Sequence, residues 1–248
     1  METICNKNYV KDIYGNLHQK ISYNNYGKIL DFYKKHIYLG GKFYKNSTLD
    51  KNIININLAK KDIAKSIDYA DIFDNMLQQD ISKKSILELG CGIGSFLNVI
   101  QDKYQNYNCA GWDISEKAQY TANTMWGENK VDIKEMEILR HINYLEPNSK
   151  WDIVIAFDFI EHIRYDKLLL NNLKFLLNTK GICLVEVPVF STDNIHNLIK
   201  APYLYTEHHL HLYSYEGFSL LANECGWNIK KMITIDDSKK AFYLMELK

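Results

Sequence analysis

Ser85-Ile86-Leu87-Glu88-Leu89-Gly90-Cys91-Gly92-Ile93-Gly94-Ser95-Phe96-Leu97 is the stretch from which the fold is read. Its first part is an apolar run bounded by lysines, the pattern of a buried parallel strand. Phe96, Leu97, Val99 and Ile100 then return at helical spacing, so the three alternating glycines lie in a strand-to-helix turn. Glycine reaches backbone angles that other residues avoid, and without a Cβ it lets a ligand lie against the main chain. The helix N-terminus beyond it offers unpaired N–H groups. Together these features make a nucleotide-type cradle at the carboxyl end of a strand. A dinucleotide fingerprint would read Gly-x-Gly-x-x-Gly or end in Ala. Here the glycines are Gly90, Gly92 and Gly94, Ser95 stands where the third glycine would be, and Glu88 lies inside the strand end.

Working outward, strand and helix patterns alternate: strand 85–89, helix 95–104, strand 108–113, helix 115–126, strands 131–136 and 151–157, helix 164–177 and strand 181–187. Such alternation predicts an α/β protein with a parallel sheet and helices on both faces. Ser214 is placed to cap a helix that ends at Cys225–Gly226, and residues 228–235 and 240–247 read as a closing strand pair. Between Phe190 and His211 the pattern dissolves into Asn, His and Tyr, which predicts an insertion on the substrate side. Upstream, helical stretches are expected around Ile29–Ile37 and from Leu58 to Leu77.

The segment Glu88-Leu89-Gly90-Cys91-Gly92-Ile93-Gly94 resembles motif I of the class I S-adenosylmethionine (SAM) dependent methyltransferases. The resemblance continues in order through Gly111-Trp112-Asp113-Ile114-Ser115, Trp151 to His162, Gly181 to Pro188 and His209 to Ser214, and covers about residues 70–248. It implies a Rossmann-like, seven-stranded, mostly parallel sheet with the last strand antiparallel. The expected organisation is an N-terminal helical cap over residues 1–70 and a SAM-binding domain over 71–248, with the insertion at about 190–211. Within the family the chain is most similar to bacterial small-molecule and glycan O-methyltransferases with a core like that of the ubiquinone-biosynthesis methyltransferases.

The cofactor implied is SAM, with S-adenosylhomocysteine as product. Glu88, Gly90, Cys91 and Gly92 match the cofactor loop. Asp113 ends the second strand 19 positions beyond Gly94, where a carboxylate accepts from both ribose hydroxyls. The competing reading of Asp113 is a helix N-cap. By the same resemblance Ile114 packs near the adenine, Glu137 and Ile138 match the adenine-contact position, and Phe157 and Asp158 close the site from the fourth strand.

Asp158-Phe159-Ile160-Glu161-His162 is the more informative constellation. If a helix begins here, Asp158, Glu161 and His162 stand at i, i+3 and i+4 and project from one face. One reading is a structural helix start with His162 hydrogen-bonded internally. Another makes His162 or Asp158 the group that removes the acceptor proton. A third is a metal site: Asp-x-x-Glu-His resembles the acidic-acidic-His cluster of certain magnesium-dependent O-methyltransferases, and His209 matches a further histidine of the small-RNA ribose methyltransferases. On that reading Asp158, Glu161, His162 and His209 would hold a divalent ion such as magnesium.

Composition narrows the partners. Thirty basic residues balance thirty acidic ones, and Arg140 and Arg164 are the only arginines, which argues against a nucleic-acid binder. Residues 1–70 hold twelve lysines against six acids, the charge of a solvated helical face or of a cap that draws in an anionic acceptor. The cysteines form no Cys-x-x-Cys pair, and Cys109 and Cys183 read as reduced core thiols. No signal peptide or membrane-length apolar run is seen, so a cytoplasmic protein is expected. The amine- and base-methylating signature, Asn or Asp followed by Pro-Pro-Tyr or Pro-Pro-Phe, is absent after the fourth strand.

The leading expectation is methyl transfer to an oxygen of a small anionic acceptor: a sugar, a sugar phosphate, a nucleotide-linked sugar, or a capsule or lipopolysaccharide precursor. The rivals are a metal-dependent RNA ribose methyltransferase, a non-catalytic SAM-binding subunit and a nicotinamide oxidoreductase.

Overall fold

The computed structural model describes residues 9–13, 16–19, 23–39, 42–45, 56–77, 85–128, 130–142, 150–190, 208–235 and 239–248. In chain order, β1 (Tyr9–Lys11) and β2 (Leu17–Gln19) precede α1 (Tyr23–Lys35), β3 (His36–Leu39), β4 (Lys42–Lys45) and α2 (Ile56–Leu77). Next come β5 (Ser85–Leu89), α3 (Ser95–Lys103), β6 (Asn108–Asp113), α4 (Ala118–Trp126), β7 (Asp132–Glu135), α5 (Ile138–His141) and β8 (Trp151–Phe157). The chain continues with α6 (Asp166–Leu173), β9 (Leu177–Phe190), β10 (His211–Ser214), α7 (Tyr215–Glu224), β11 (Trp227–Ile235) and β12 (Lys240–Leu247). The result is a mixed α/β fold built on a mostly parallel sheet. No helix among the described residues is long and apolar enough to cross a membrane.

The chain divides into two compact units. One comprises Leu30–Ile155 and Leu176–Thr179, with strands in the order β8-β5-β6-β7. β5 pairs parallel to β6, and β6 parallel to β7. Ile86 and Leu87 of β5 and Leu97 of α3 are fully buried, each burial being worth about 1.5–3 kcal/mol. Phe73 of α2 meets Phe96 of α3 edge to face at 5.9 Å between ring centres, so the helix before β5 and the one after it share a core. Asp152 ties β8 to β5, accepting from the Ser85 hydroxyl at 2.7 Å, while Asn178 donates to its other oxygen at 2.8 Å.

The other unit comprises Met1–Ile29, Ala156–Phe175 and Lys180–Lys248. β12 lies antiparallel between β9 and β11, which is the closing strand pair expected from the sequence. β11 pairs with β12 through a register shift at Ile229/Lys231, an edge kept from further pairing by its bulge and its lysines. Ser214 caps α7 by accepting the Gly217 N–H at 2.9 Å, and Gly226 takes a φ of 88° just past its end.

Three features differ from the sequence reading. Asp158–His162, which would share one face only if a helix began there, form instead a 3-10 turn over Ile160–His162, and the helix expected over 164–177 is the shorter α6, starting at Asp166. The N-terminal stretch contains the predicted helices α1 and α2 but adds β1 to β4, of which β2 pairs antiparallel with β10. β10 itself was not foreseen. It runs parallel to the end of β9. Most of the predicted insertion at 190–211 lies outside the described residues.

Candidate active site

At the carboxyl ends of β5 and β6 the glycine turn takes the backbone it was read for. Gly90, Gly92 and Gly94 have φ of 68°, 54° and 70°, all left-handed. The Gly90 N–H donates to the Trp112 carbonyl at 2.7 Å, drawing the loop over β6. A Cβ at Gly111 would lie 2.3 Å from the Cys91 sulfur, so the loop can sit there only because Gly111 has none. Cys91 is buried, and burial together with Asp113 and Glu88 pushes its thiol well above the usual range. That environment suits packing, not nucleophilic attack.

Asp113 faces the loop. Its Oδ2 accepts the Gly92 N–H and its Oδ1 the Ser115 N–H, each at 2.8 Å. The bond to Ser115, two residues on, is an Asx turn. α4 begins later, at Ala118, and Lys117 occupies its N-cap position, so Asp113 is not the helix cap. Burial raises its carboxyl pKa against the two N–H groups that hold it down. A carboxylate has about four lone-pair sites, so each oxygen can accept once more.

Two observations test whether this pocket suits the cofactor. A Cβ built on Gly92 meets nothing within 4 Å, so the main chain there has an open face. Glu88 is 6% exposed with no hydrogen-bond partner at Oε2, and burial followed by the charge of Asp113 pushes its pKa up to about 8. A buried acid so placed wants a cationic donor, and an amino-acid ammonium is one. An open main-chain face, a buried acid short of a donor and a carboxylate with acceptor capacity to spare are a donor set that fits a ligand carrying an ammonium and hydroxyls, as SAM does. Met136 donates its N–H to the Asp113 carbonyl at 2.7 Å, which brings Glu137 and the buried Ile138 alongside. Glu137 also pairs with Lys34 at 3.3 Å, and Ile114 follows Asp113 directly, half-buried.

A second cluster forms in the other unit. Asp158 has a φ of 46°, the one non-glycine in that region among the described residues. Its N–H donates to Glu186 Oε2 at 2.8 Å, and its Oδ1 lies 2.5 Å from Lys240 Nζ, which also reaches Glu186 Oε1 at 3.1 Å. Such backbone conformations cost about 1–3 kcal/mol and persist where surrounding contacts hold them. Phe157, just before it, is buried edge to face against Phe242 at 5.4 Å.

The turn after Asp158 carries Glu161, fully buried, with neither carboxylate oxygen hydrogen-bonded. Burial first, then Asp158 and Glu186, push its pKa well up. His162 Nδ1 lies 2.8 Å from the His208 carbonyl, which can only accept, so Nδ1 carries the hydrogen and Nε2 the lone pair. Nε2 is 3.8 Å from Glu161 Oε1. The His209 ring stands edge to face on that of His162, centres 4.9 Å apart. Burial lowers His162 to about 4 and His209 to about 3, so both rings are neutral at physiological pH.

Of the four residues expected to hold a metal, three come together. Ligand atoms of Glu161, His162 and His209 lie within 4.8 Å of one another. Asp158 is not among them, because the helix needed to align it does not form and its carboxylate is engaged by Lys240. The set is also richer in nitrogen than magnesium prefers, and suits zinc, manganese or iron better. Glu186 and Lys240 were missed in the sequence. A lone acid in the apolar run Ile182–Val187 was a signal for the first, and nothing marked the second.

Comparison with known proteins gives a consistent picture. A family model described as a methyltransferase domain matches residues 63–231. The chain is 30% identical over 107 residues to a ubiquinone biosynthesis O-methyltransferase of Rickettsia canadensis, covering 43% of this chain and 44% of that protein. It thus spans less than half the length of such relatives. Among solved structures it resembles an O-methyltransferase family protein from Burkholderia thailandensis, with a TM-score of 0.60 at 14% identity, covering 77% of this chain and 58% of that one. It also resembles the magnesium protoporphyrin IX methyltransferase from Synechocystis PCC 6803 with bound S-adenosylhomocysteine, at TM-score 0.57 and 17% identity, covering 78% and 89%. At such identities these two likenesses speak to the fold alone.

Proposed function

The chain belongs to the methyltransferase-domain family, and from that premise we propose that it transfers the methyl group of SAM to an oxygen of a small anionic acceptor. Sugars, sugar phosphates, nucleotide-linked sugars and capsule or lipopolysaccharide precursors are the acceptors this reading favours. SAM, when bound, supplies a methyl already activated as a sulfonium, so the chain needs no nucleophile of its own. Its own work is to bind, align and exclude water. Gly90, Cys91 and Gly92 present main chain, Asp113 accepts from the ribose hydroxyls, and Glu88 receives the ammonium. Ile114, Glu137 and Ile138 line the adenosyl side.

The observation that carries the oxygen reading is the trio Glu161, His162 and His209, the acid fully buried and the two histidines half-buried, with the His162 lone pair on Nε2 because Nδ1 donates to the His208 carbonyl. Desolvation makes His162 a weak base for an alcohol. Beside an acid that lacks any hydrogen bond, it is better suited to share a divalent cation. Such an ion, held by Glu161, His162 and His209, would supply Lewis acidity toward the acceptor hydroxyl. Asp158, fastened by Lys240, orders the turn that carries the trio and remains the alternative proton acceptor. The absence of a Pro-Pro-aromatic segment after β8 and the names of the curated relatives support oxygen over nitrogen. The lysine excess over residues 1–70 supports an anionic acceptor.

His162→Ala is the test. With hydroxylated acceptors supplied in a panel, turnover is expected to fall by about 100- to 10,000-fold, the range for losing assistance to removal of the acceptor proton, which the ion held by His162 would supply. Calorimetric affinity for S-adenosylhomocysteine is expected to stay unchanged. Full turnover in the variant would reduce His162 to a packing residue.

A further inference from the structure

Away from these clusters, His18 of β2 and His211 of β10 are direct cross-strand partners, and their Nδ1 atoms face each other at 2.6 Å. What lies on the far side of each ring decides what can sit between them. His211 Nε2 is 2.8 Å from the Ile163 carbonyl oxygen, which accepts only, so that nitrogen carries a hydrogen. His18 Nε2 is 2.8 Å from Asp12 Oδ2, again an acceptor, so it too carries a hydrogen. Each ring in its ordinary neutral form then has a bare Nδ1, and two lone pairs point at one another. A cation has to neutralise that approach: a proton on the line between the two nitrogens, or a metal beside it at about 2.0–2.1 Å from each.

Asp166 favours the metal. Its Oδ2 is 3.8 Å from His211 Nδ1, and ligand atoms of His18, Asp166 and His211 all lie within 4.8 Å of one another. Asp166 and His211 are buried, while His18 is half-buried. The supporting contacts are those of a coordinated site. Metal-bound histidines donate their other N–H to a carboxylate or a backbone carbonyl, which is what Asp12 and Ile163 receive. The Tyr213 hydroxyl donates to Asp166 Oδ2 at 2.9 Å, and the Lys167 N–H to Oδ1 at 2.7 Å, so the carboxylate is oriented as well. A cavity of about 300 Å³, bordered by these three residues with Arg164 and Tyr165, leaves room for a further ligand.

We propose that His18, His211 and Asp166 form a second metal site, for a divalent transition-metal ion of the zinc type, with its remaining position open to the Arg164 cavity. Two imidazoles and one carboxylate are a zinc-like donor set, unattractive to magnesium or calcium. Such an ion clips the short N-terminal strand β2 to β10, adding to a two-residue pairing and to the Gln19 N–H bond to the Leu210 carbonyl at 2.7 Å.

The test is calorimetric titration of Zn²⁺ alone into the full-length chain, first stripped by a chelator. It is made in a His209→Ala background so that the Glu161 cluster does not contribute. One equivalent is expected to bind. His18→Gln is expected to weaken that binding by more than the roughly 10- to 100-fold typical of an outer-shell change, and Asp12→Asn by an amount within that range. Visible absorption of Co²⁺ soaked into the same protein should disappear with His18→Gln. If His18→Gln fails to fold by circular dichroism, Asp12→Asn, which lies outside the ligand set, is read in its place. No saturable heat, or one equivalent bound unchanged in the folded variants, would leave a proton-bridged histidine pair and overturn the site.

Discussion

Lys240→Met is expected to destabilise the fold by about 3–5 kcal/mol, the cost of removing one partner from a buried ion cluster. Lys240 lies 2.5 Å from Asp158 and 3.1 Å from Glu186, and Glu186 is completely buried. Asp158 is a third exposed and can turn to water, so most of the loss comes from Glu186. The same acid accepts the N–H of Asp158, whose left-handed backbone then loses support as well. Chemical denaturation of the variant measures the loss. The double variant Lys240→Met/Glu186→Gln is expected to recover most of it, because Gln still accepts that N–H while carrying no charge. An additive pair of losses would mean that the two residues do not act as a unit.

Asp113→Ala is expected to weaken S-adenosylhomocysteine binding by about 1–3 kcal/mol, or roughly 5- to 150-fold. The N–H groups of Gly92 and Ser115 lose their acceptor, and on the proposed binding mode the ribose hydroxyls lose theirs. Asp113→Asn separates these contributions, since its amide oxygen can still accept from one N–H but the negative charge is gone. Calorimetry on both variants provides the measurement. Unaltered affinity in Asp113→Ala would remove the carboxylate from the cofactor site.

The glycine turn and the acid beside it were legible because their requirements are local. Three glycines alternate where the backbone must turn left-handed, and an acid ends the next strand, so pattern and geometry share one short stretch. The Ser214 cap and the Gly226 stop were legible for the same reason. The Asp158–His162 geometry was not. Spacing at i, i+3 and i+4 aligns side chains only on a helix, and here a 3-10 turn follows a left-handed residue held by Lys240, 82 positions away. His18 and His211 are 193 positions apart, and β2 is three residues long, too short for alternation to announce it. Long-range partners of that kind become visible only once the strands are paired.

Calorimetric titration of the purified wild-type chain with S-adenosylhomocysteine and, separately, with NAD tests most directly whether the Gly90–Gly94 turn and Asp113 receive a sulfonium nucleoside. Saturable one-to-one binding of S-adenosylhomocysteine and none of NAD is predicted. Binding of NAD with no heat from S-adenosylhomocysteine would contradict it.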